Sequence, residues 1–262
     1  MKPKTHKRIT KLALELCKDI LSPKILEHSS VIIQGSDDED TTEPLKRGTN
    51  WHFYRTKESK IPKRVRLFFK TTSEDILNER IDAMMSCDKN SDMFYNYLGR
   101  IIHHIQDMST PSHVIPIYHG PKVPLKLRWG MINDHFETFM EENDCRISIK
   151  DVDTQISIDG IEGYEDIYIK SADDMLNNIL KVDEDITDRH YSLFWKHHTE
   201  KEYSKIKGFG VYGECHNYFN RLPKNNEYGI TEEELFNIQD IITTHAIVST
   251  SKALLYANSK LA

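Results

Sequence analysis

The sequence predicts an all-α protein, a multi-helix bundle with one small β excursion near residues 145–170. Three observations predict it. Glycine (11) and proline (9) are scarce for 262 residues, which disfavours turn-rich sandwiches and barrels. Apolar residues recur at helical spacing through most segments between those breakers. A hydrophobic content of 38% in a chain of this length suffices to bury one sizeable core, so residues 1–262 read as one domain.

Taken in order, Ile9, Leu12, Ala13, Leu16 and Ile20 set a helix over 5–21, which Pro23 ends. Residues 29–62 hold Gly, Pro, Ser and Asp clusters without an apolar helical period and are predicted to form a long irregular loop. Loops of that length inside a domain usually carry function. Helices follow over 73–88 and 91–108, the second stopped at STPSH, where Pro111 disfavours helix in the residue before it. Another covers 130–142. Between 145 and 170 isoleucine alternates with polar residues in three short runs, the period of half-exposed strands. Helical patterning returns over 171–182 and 186–203, and 205–230, with Gly208, Gly210 and Gly213, reads as a loop. Thr231 and Glu234 form a capping box that opens a last helix reaching about residue 258.

A net charge of −6 excludes bulk attraction to nucleic acid or anionic lipid as the main design, and KIPKRVR (60–66) reads as a solvated helix start. Cys17, Cys87, Cys145 and Cys215 are widely spaced without a CxxC, so they read as buried thiols. No stretch approaches the ~20 apolar residues of a membrane span. The N-terminus has no apolar signal core, so the chain is expected in the cytoplasm as written, and outside it or in the periplasm if Met1 follows a processed segment.

Among thirteen histidines, one group carries chemistry. His103 and Asp107 stand four apart on a helix and share a face, which lets an imidazole and a carboxylate grip one cation. Past the STPS break, His113 completes HHIQDMSTPSH, a string far more specific than the pair.

That string resembles the signature of the zinc-dependent phospholipase C and single-strand-specific zinc nuclease superfamily. Thr5–His6 at the start of the first helix, the acidic run GSDDED, NWHFY around His52 and FETF at Phe136–Phe139 stand in the family's order. The wording of the motifs is closer to the phospholipase branch. The resemblance implies a phospholipase C/nuclease-type helical bundle with two or three zinc ions, which hydrolyses a phosphodiester by in-line attack of a metal-activated water. The implied partner is a small phosphodiester or a phospholipid head group. The alternatives are a nuclease acting on single-stranded nucleic acid, or a nucleotidase, of the same superfamily, and a degenerate non-catalytic binding protein on the same fold.

The resemblance also assigns roles. His52, His103 and Asp107 would hold one zinc, with Asp107 bridging to a second held by His6 and by the amine of the first residue, here Met1. His113 and Glu137 would hold the last ion together with a histidine four residues before the glutamate, where this chain has Asn133. His135 is only two before Glu137 and on another helical face, so His135 after a shift in helix start, or His119, is the substitute. The carboxylate that orients water would be Asp40, with Asp38 next.

Overall fold

In this computed structural model the described residues are 1–41, 50–51, 53–54, 71–115, 120–121, 131–132, 135–152, 155–179, 195–196, 211–212 and 231–261. Helices dominate them: α1 (Pro3–Cys17), α2 (Pro23–Glu27), α3 (Ser29–Thr41), α4 (Ser73–Met85), α5 (Asp92–Asp107), α6 (Pro111–Val114), α7 (His135–Glu142), α8 (Tyr164–Asp174) and α9 (Glu232–Leu261). Three two-residue pairings accompany them: Asn50–Trp51 runs parallel to Thr71–Thr72, Gly120–Pro121 antiparallel to Met131–Ile132, and Trp195–Lys196 antiparallel to Val211–Tyr212.

The helix starts are chemically marked. Pro3 and Pro111 occupy the first turns of α1 and α6, where a missing N–H costs nothing. Thr72 and Asp75 form a reciprocal capping box on α4, and the Ser91 hydroxyl accepts from the Phe94 N–H on α5. The box of Thr231 and Glu234 opens α9 as the sequence predicts.

α5 is the hub. It packs against α3, α4, α8 and α9, and its last seven residues, Ile101 to Asp107, are all buried. A helix covered on every side must satisfy whatever polar groups it carries from its neighbours. The closest neighbour is α3, which crosses α5 where Gly35 meets Gly99. A Cβ on Gly35 would lie 2.2 Å from the Asn96 carbonyl oxygen, and one on Gly99 would lie 2.2 Å from that of Ile32. Only hydrogen fits at this crossing. Met1, Ile9, Ile32, Leu77, Ile102, Val114, Phe136, Ile167 and Leu254 belong to one continuous apolar core, which joins α1 to α9 across the bundle.

Three expectations are corrected. The loop predicted from residue 29 is helical as far as Thr41. The α3 face turned to the core carries Ile32, Gly35, Ser36, Glu39 and Asp40, a helical period written mostly in polar residues, so a search for apolar periodicity passes over it. The β excursion at 145–170 is also absent among the described residues, which hold a 3₁₀ turn (Ile149–Asp151) and the start of α8. Ile147, Ile156, Ile158 and Ile161 are partly buried against the core, so their alternation marks chain packed on that core, with no partner strand among the described residues. Finally, the helix expected over 186–203 is interrupted, because Trp195–Lys196 pairs with Val211–Tyr212. The remainder of that span lies outside the described residues.

Candidate metal centre

The centre forms where α5 ends. His103 and Asp107 project from one face of its last turns, with His103 Nε2 3.4 Å from Asp107 Oδ2. Thr110 is extended ahead of Pro111, and the chain doubles back into α6, where the His113 N–H donates to the Thr110 carbonyl. This reversal sets His113 Nε2 3.6 Å from Asp107 Oδ1 and 3.1 Å from Glu137 Oε1 of α7. From α1, His6 lies face to face with His103, ring centroids 3.9 Å apart, and places its Nε2 3.4 Å from Asp107 Oδ1. From the end of α3, Asp40 Oδ1 is 3.9 Å from His103 Nε2. Ligand atoms of His6, Asp40 and His103 all lie within 4.8 Å of one another.

The chain's own amine closes the group. Met1 N donates to Asp107 Oδ1 at 2.8 Å, and lies 3.2 Å from His113 Nε2 and 3.3 Å from Glu137 Oε1. Met1 is 4% exposed, so a positive terminus is buried among carboxylates.

The titration directions follow from this crowding. Burial alone would lower the Met1 amine, yet Asp107, Glu137 and Asp40 raise it to about 10. His103 behaves alike: Asp107 and Asp40 overcome burial and push it up to about 9. Burial, reinforced by the neighbouring His103 ring, pushes His6 down to about 4. Asp107 is held well below the ordinary carboxylate range against its burial, by His113, the Met1 amine and His103. The ensemble is a compact set of anions balanced by whatever cation is at hand.

Two observations test whether zinc suits this set. His6 Nε2 is buried and has no hydrogen-bond partner, although a carboxylate oxygen of Asp107 lies 3.4 Å away. A lone pair facing an anion is repulsive unless a cation stands between them. The donors are imidazole nitrogens, carboxylate oxygens and an amine, the borderline mixture that zinc takes at about 2.0–2.2 Å. The residues fit.

A second layer braces the first. His103 Nδ1 is 2.9 Å from the Ser36 carbonyl, to which it must donate, leaving Nε2 directed at Asp107 and Asp40. Glu39, next to Asp40, takes a two-pronged contact from Arg80 at 2.8 and 2.9 Å and a third from Arg100 at 3.1 Å, with His104 Nε2 3.6 Å away. His104 and Arg80 hold its carboxyl far below the usual range despite burial. Sequence reasoning missed Glu39, Ser36 and Gln106. Glu39 is indistinguishable from its acidic neighbours by type, and Ser36 acts through its backbone.

Of the acidic candidates in α3, Asp40 faces the histidines. Asp38 accepts instead from Gln34 Nε2 and Asn96 Nδ2, each at 2.7 Å, and Asp37 pairs with Lys7 at 2.7 Å. His52 and Asn133 lie outside the described residues, as does His119, and His135 opens α7 with only its backbone described. The segment that carries His52 reaches the site: Phe53 is buried with its ring 5.7 Å from that of His113, and the Tyr54 N–H donates to the His113 carbonyl at 2.9 Å.

Comparison with family models matches residues 5–164 to one described as zinc dependent phospholipase C. No curated protein and no solved structure matches the chain. The matched segment is more than half of the chain and runs through α1, α3, α5, α6 and α7, the elements that carry His6, Asp40, His103, Asp107, His113 and Glu137. The chain belongs to the zinc-dependent phospholipase C family.

Proposed function

We propose that the chain hydrolyses phosphoric diesters, with a phospholipid head group or a similar small phosphodiester as substrate, using two or three zinc ions. The observation that carries the proposal is the buried His6 Nε2, without a hydrogen-bond partner and 3.4 Å from Asp107 Oδ1, within a ring of imidazoles and carboxylates. His6, the Met1 amine and Asp107 Oδ1 would hold one ion. His103 and Asp107 Oδ2, joined by His52 from the segment docked on His113, would hold another. His113 and Glu137 would contribute to a third, which Asn133 leaves a ligand short unless His135 or His119 supplies it.

Bound zinc supplies a hydroxide at neutral pH and charge stabilisation for the oxygens of the phosphoryl group. The chain's part is positioning. Asp40, unlike Asp38, stands beside His103 and is the carboxylate suited to orient the attacking water. Asp107 offers its two oxygens to two different histidines, which holds the donor groups in fixed relation. No helix among the described residues is long and apolar enough to cross a membrane.

The test is metal content per chain, by inductively coupled plasma mass spectrometry on protein purified without chelators. Hydrolysis of a chromogenic phosphocholine diester and of single-stranded DNA is assayed alongside. Two or three zinc ions are expected, with hydrolysis of the diester, and Asp107→Asn should lose metal and at least a hundredfold of activity together. Wild-type levels of zinc in Asp107→Asn would overturn the assignment.

A further inference from the structure

Gln106 precedes Asp107 on α5 and is fully buried, yet it belongs neither to the apolar core nor to the donor set. Its contacts form a chain with a fixed direction. The Thr10 hydroxyl donates to the His6 carbonyl one turn back on α1, at 2.9 Å. Having spent its proton, Thr10 Oγ1 can only accept from the Gln106 amide, 2.9 Å away. Thr250 Oγ1, on α9, accepts from the same nitrogen at 3.1 Å. The amide therefore turns its NH₂ toward the two threonines and its carbonyl toward His6, whose Nδ1 is 2.7 Å from Gln106 Oε1. A flipped amide would set its oxygen against Thr10, where no proton is available.

We infer that Gln106 is a positioning residue, locked by Thr10 and Thr250, that fixes the His6 tautomer. Its carbonyl demands the proton on His6 Nδ1, so the lone pair resides on Nε2, which faces Asp107 Oδ1 at 3.4 Å. A neutral histidine carries one N–H, and an unconstrained ring would place that hydrogen on Nε2, donate it to the carboxylate and be lost as a metal ligand. The lock is drawn from α1, α5 and α9, so the packing of three helices decides which nitrogen meets a cation. The Nδ1 proton of His103 is held in place by a backbone carbonyl instead, that of Ser36, which no side-chain substitution removes. The lock on His6 is the one open to test by mutation.

The inference rests on the metal reading, and its test separates the two. Histidine ¹⁵N shifts of the metal-free protein report which His6 nitrogen carries hydrogen, with no zinc involved. Zinc affinity is then measured by competition with a chromophoric chelator. In the wild-type chain His6 Nδ1 should be protonated and Nε2 bare. Gln106→Met, of similar volume, should yield mixed tautomers and a 10–100-fold weaker zinc affinity, roughly the range seen when a ligand's supporting partner is removed. Thr10→Val is the milder variant if Gln106→Met does not fold: it frees the amide to flip and should weaken zinc several-fold without touching a ligand. An Nε2–H tautomer in the wild-type chain overturns the inference, as does unchanged zinc affinity in both Gln106→Met and Thr10→Val. Failure of the wild-type chain to take up zinc while the Nδ1–H tautomer is present overturns the metal reading and leaves the tautomer lock standing.

Discussion

The protonation sites at the centre, the Met1 amine, His103 and His6 among them, should give the metal-free protein a bell-shaped stability. The Met1 amine, raised from 8.0 to about 10, contributes stability that is complete below pH 8 and is lost as pH climbs through about 10. His103, raised from 6.5 to about 9, contributes in the same sense, complete below pH 6.5 and lost through about 9. His6 has the opposite sign: pushed down from 6.5 to about 4, it contributes stability that is complete above pH 6.5 and is lost as pH falls through about 4. A tenfold change in proton affinity on folding is worth about 1.4 kcal/mol, so each flank of the bell amounts to a few kcal/mol. In the presence of a chelator the Tm should peak near pH 6.5 and fall on both sides. With saturating zinc the alkaline fall should vanish, since the amine and imidazoles bind metal only without their protons. A chelated sample whose Tm climbs between pH 7 and 10 would contradict the buried ammonium.

At the level of elements, the α3–α5 crossing controls whether Ser36 and Asp40 reach His103. Gly35→Ala would drive a methyl to within 2.2 Å of the Asn96 carbonyl, and backbone cannot yield as a flexible side chain does. Overpacking of this kind costs about 1–3 kcal/mol or more, and the helices relieve it by moving apart. That motion stretches the 2.9 Å His103–Ser36 contact, so zinc affinity should fall with stability. Differential scanning calorimetry with and without zinc checks both, and a Gly35→Ala chain as stable as the wild type would show that the crossing is loose. This crossing also marks the limit of what sequence patterning reveals. Helices α1, α4, α5 and α9 are legible because apolar residues keep a helical period, and the capping box at Thr231 announces the last of them. α3 is hidden, since its inward face is Gly35, Ser36, Glu39 and Asp40, residues whose burial depends on partners supplied by α4 and α5. The isoleucines of 145–161 show a true period-two pattern, yet they pack against the bundle's apolar core, and the identity of the opposing layer is absent from a local window.

Across the whole molecule, the proposed donors come from separate helix ends gathered around Asp107: the start of α1, the end of α3, the end of α5, then α6 and α7. The string around His103, Asp107 and His113 can be read from the chain because it is local. The burial of the Met1 amine and the Gln106 lock depend instead on contacts spanning 106 and 96 positions. A cation at such a junction acts as a clasp. Without one, α1 and α7 are held at the centre by the Met1 ammonium, His6 and Glu137, groups whose charge states depend on pH. Binding adds stability as RT ln(1 + [Zn]/Kd), about 2.7 kcal/mol at a hundredfold excess over Kd, but local openings feel it only if they break the site. Hydrogen exchange at pH 7 should therefore slow on zinc addition in residues 1–10, 36–41, 103–115 and 135–140, where opening separates donors. The α9 amides near Leu254 and Tyr256, anchored in the apolar core and remote in sequence from every donor, should be slowed only to the extent that they exchange through global unfolding. Equal slowing of all segments would mean that the bundle opens as one unit with no weaker junction at the centre. Slowing confined to α9 would place the cation elsewhere.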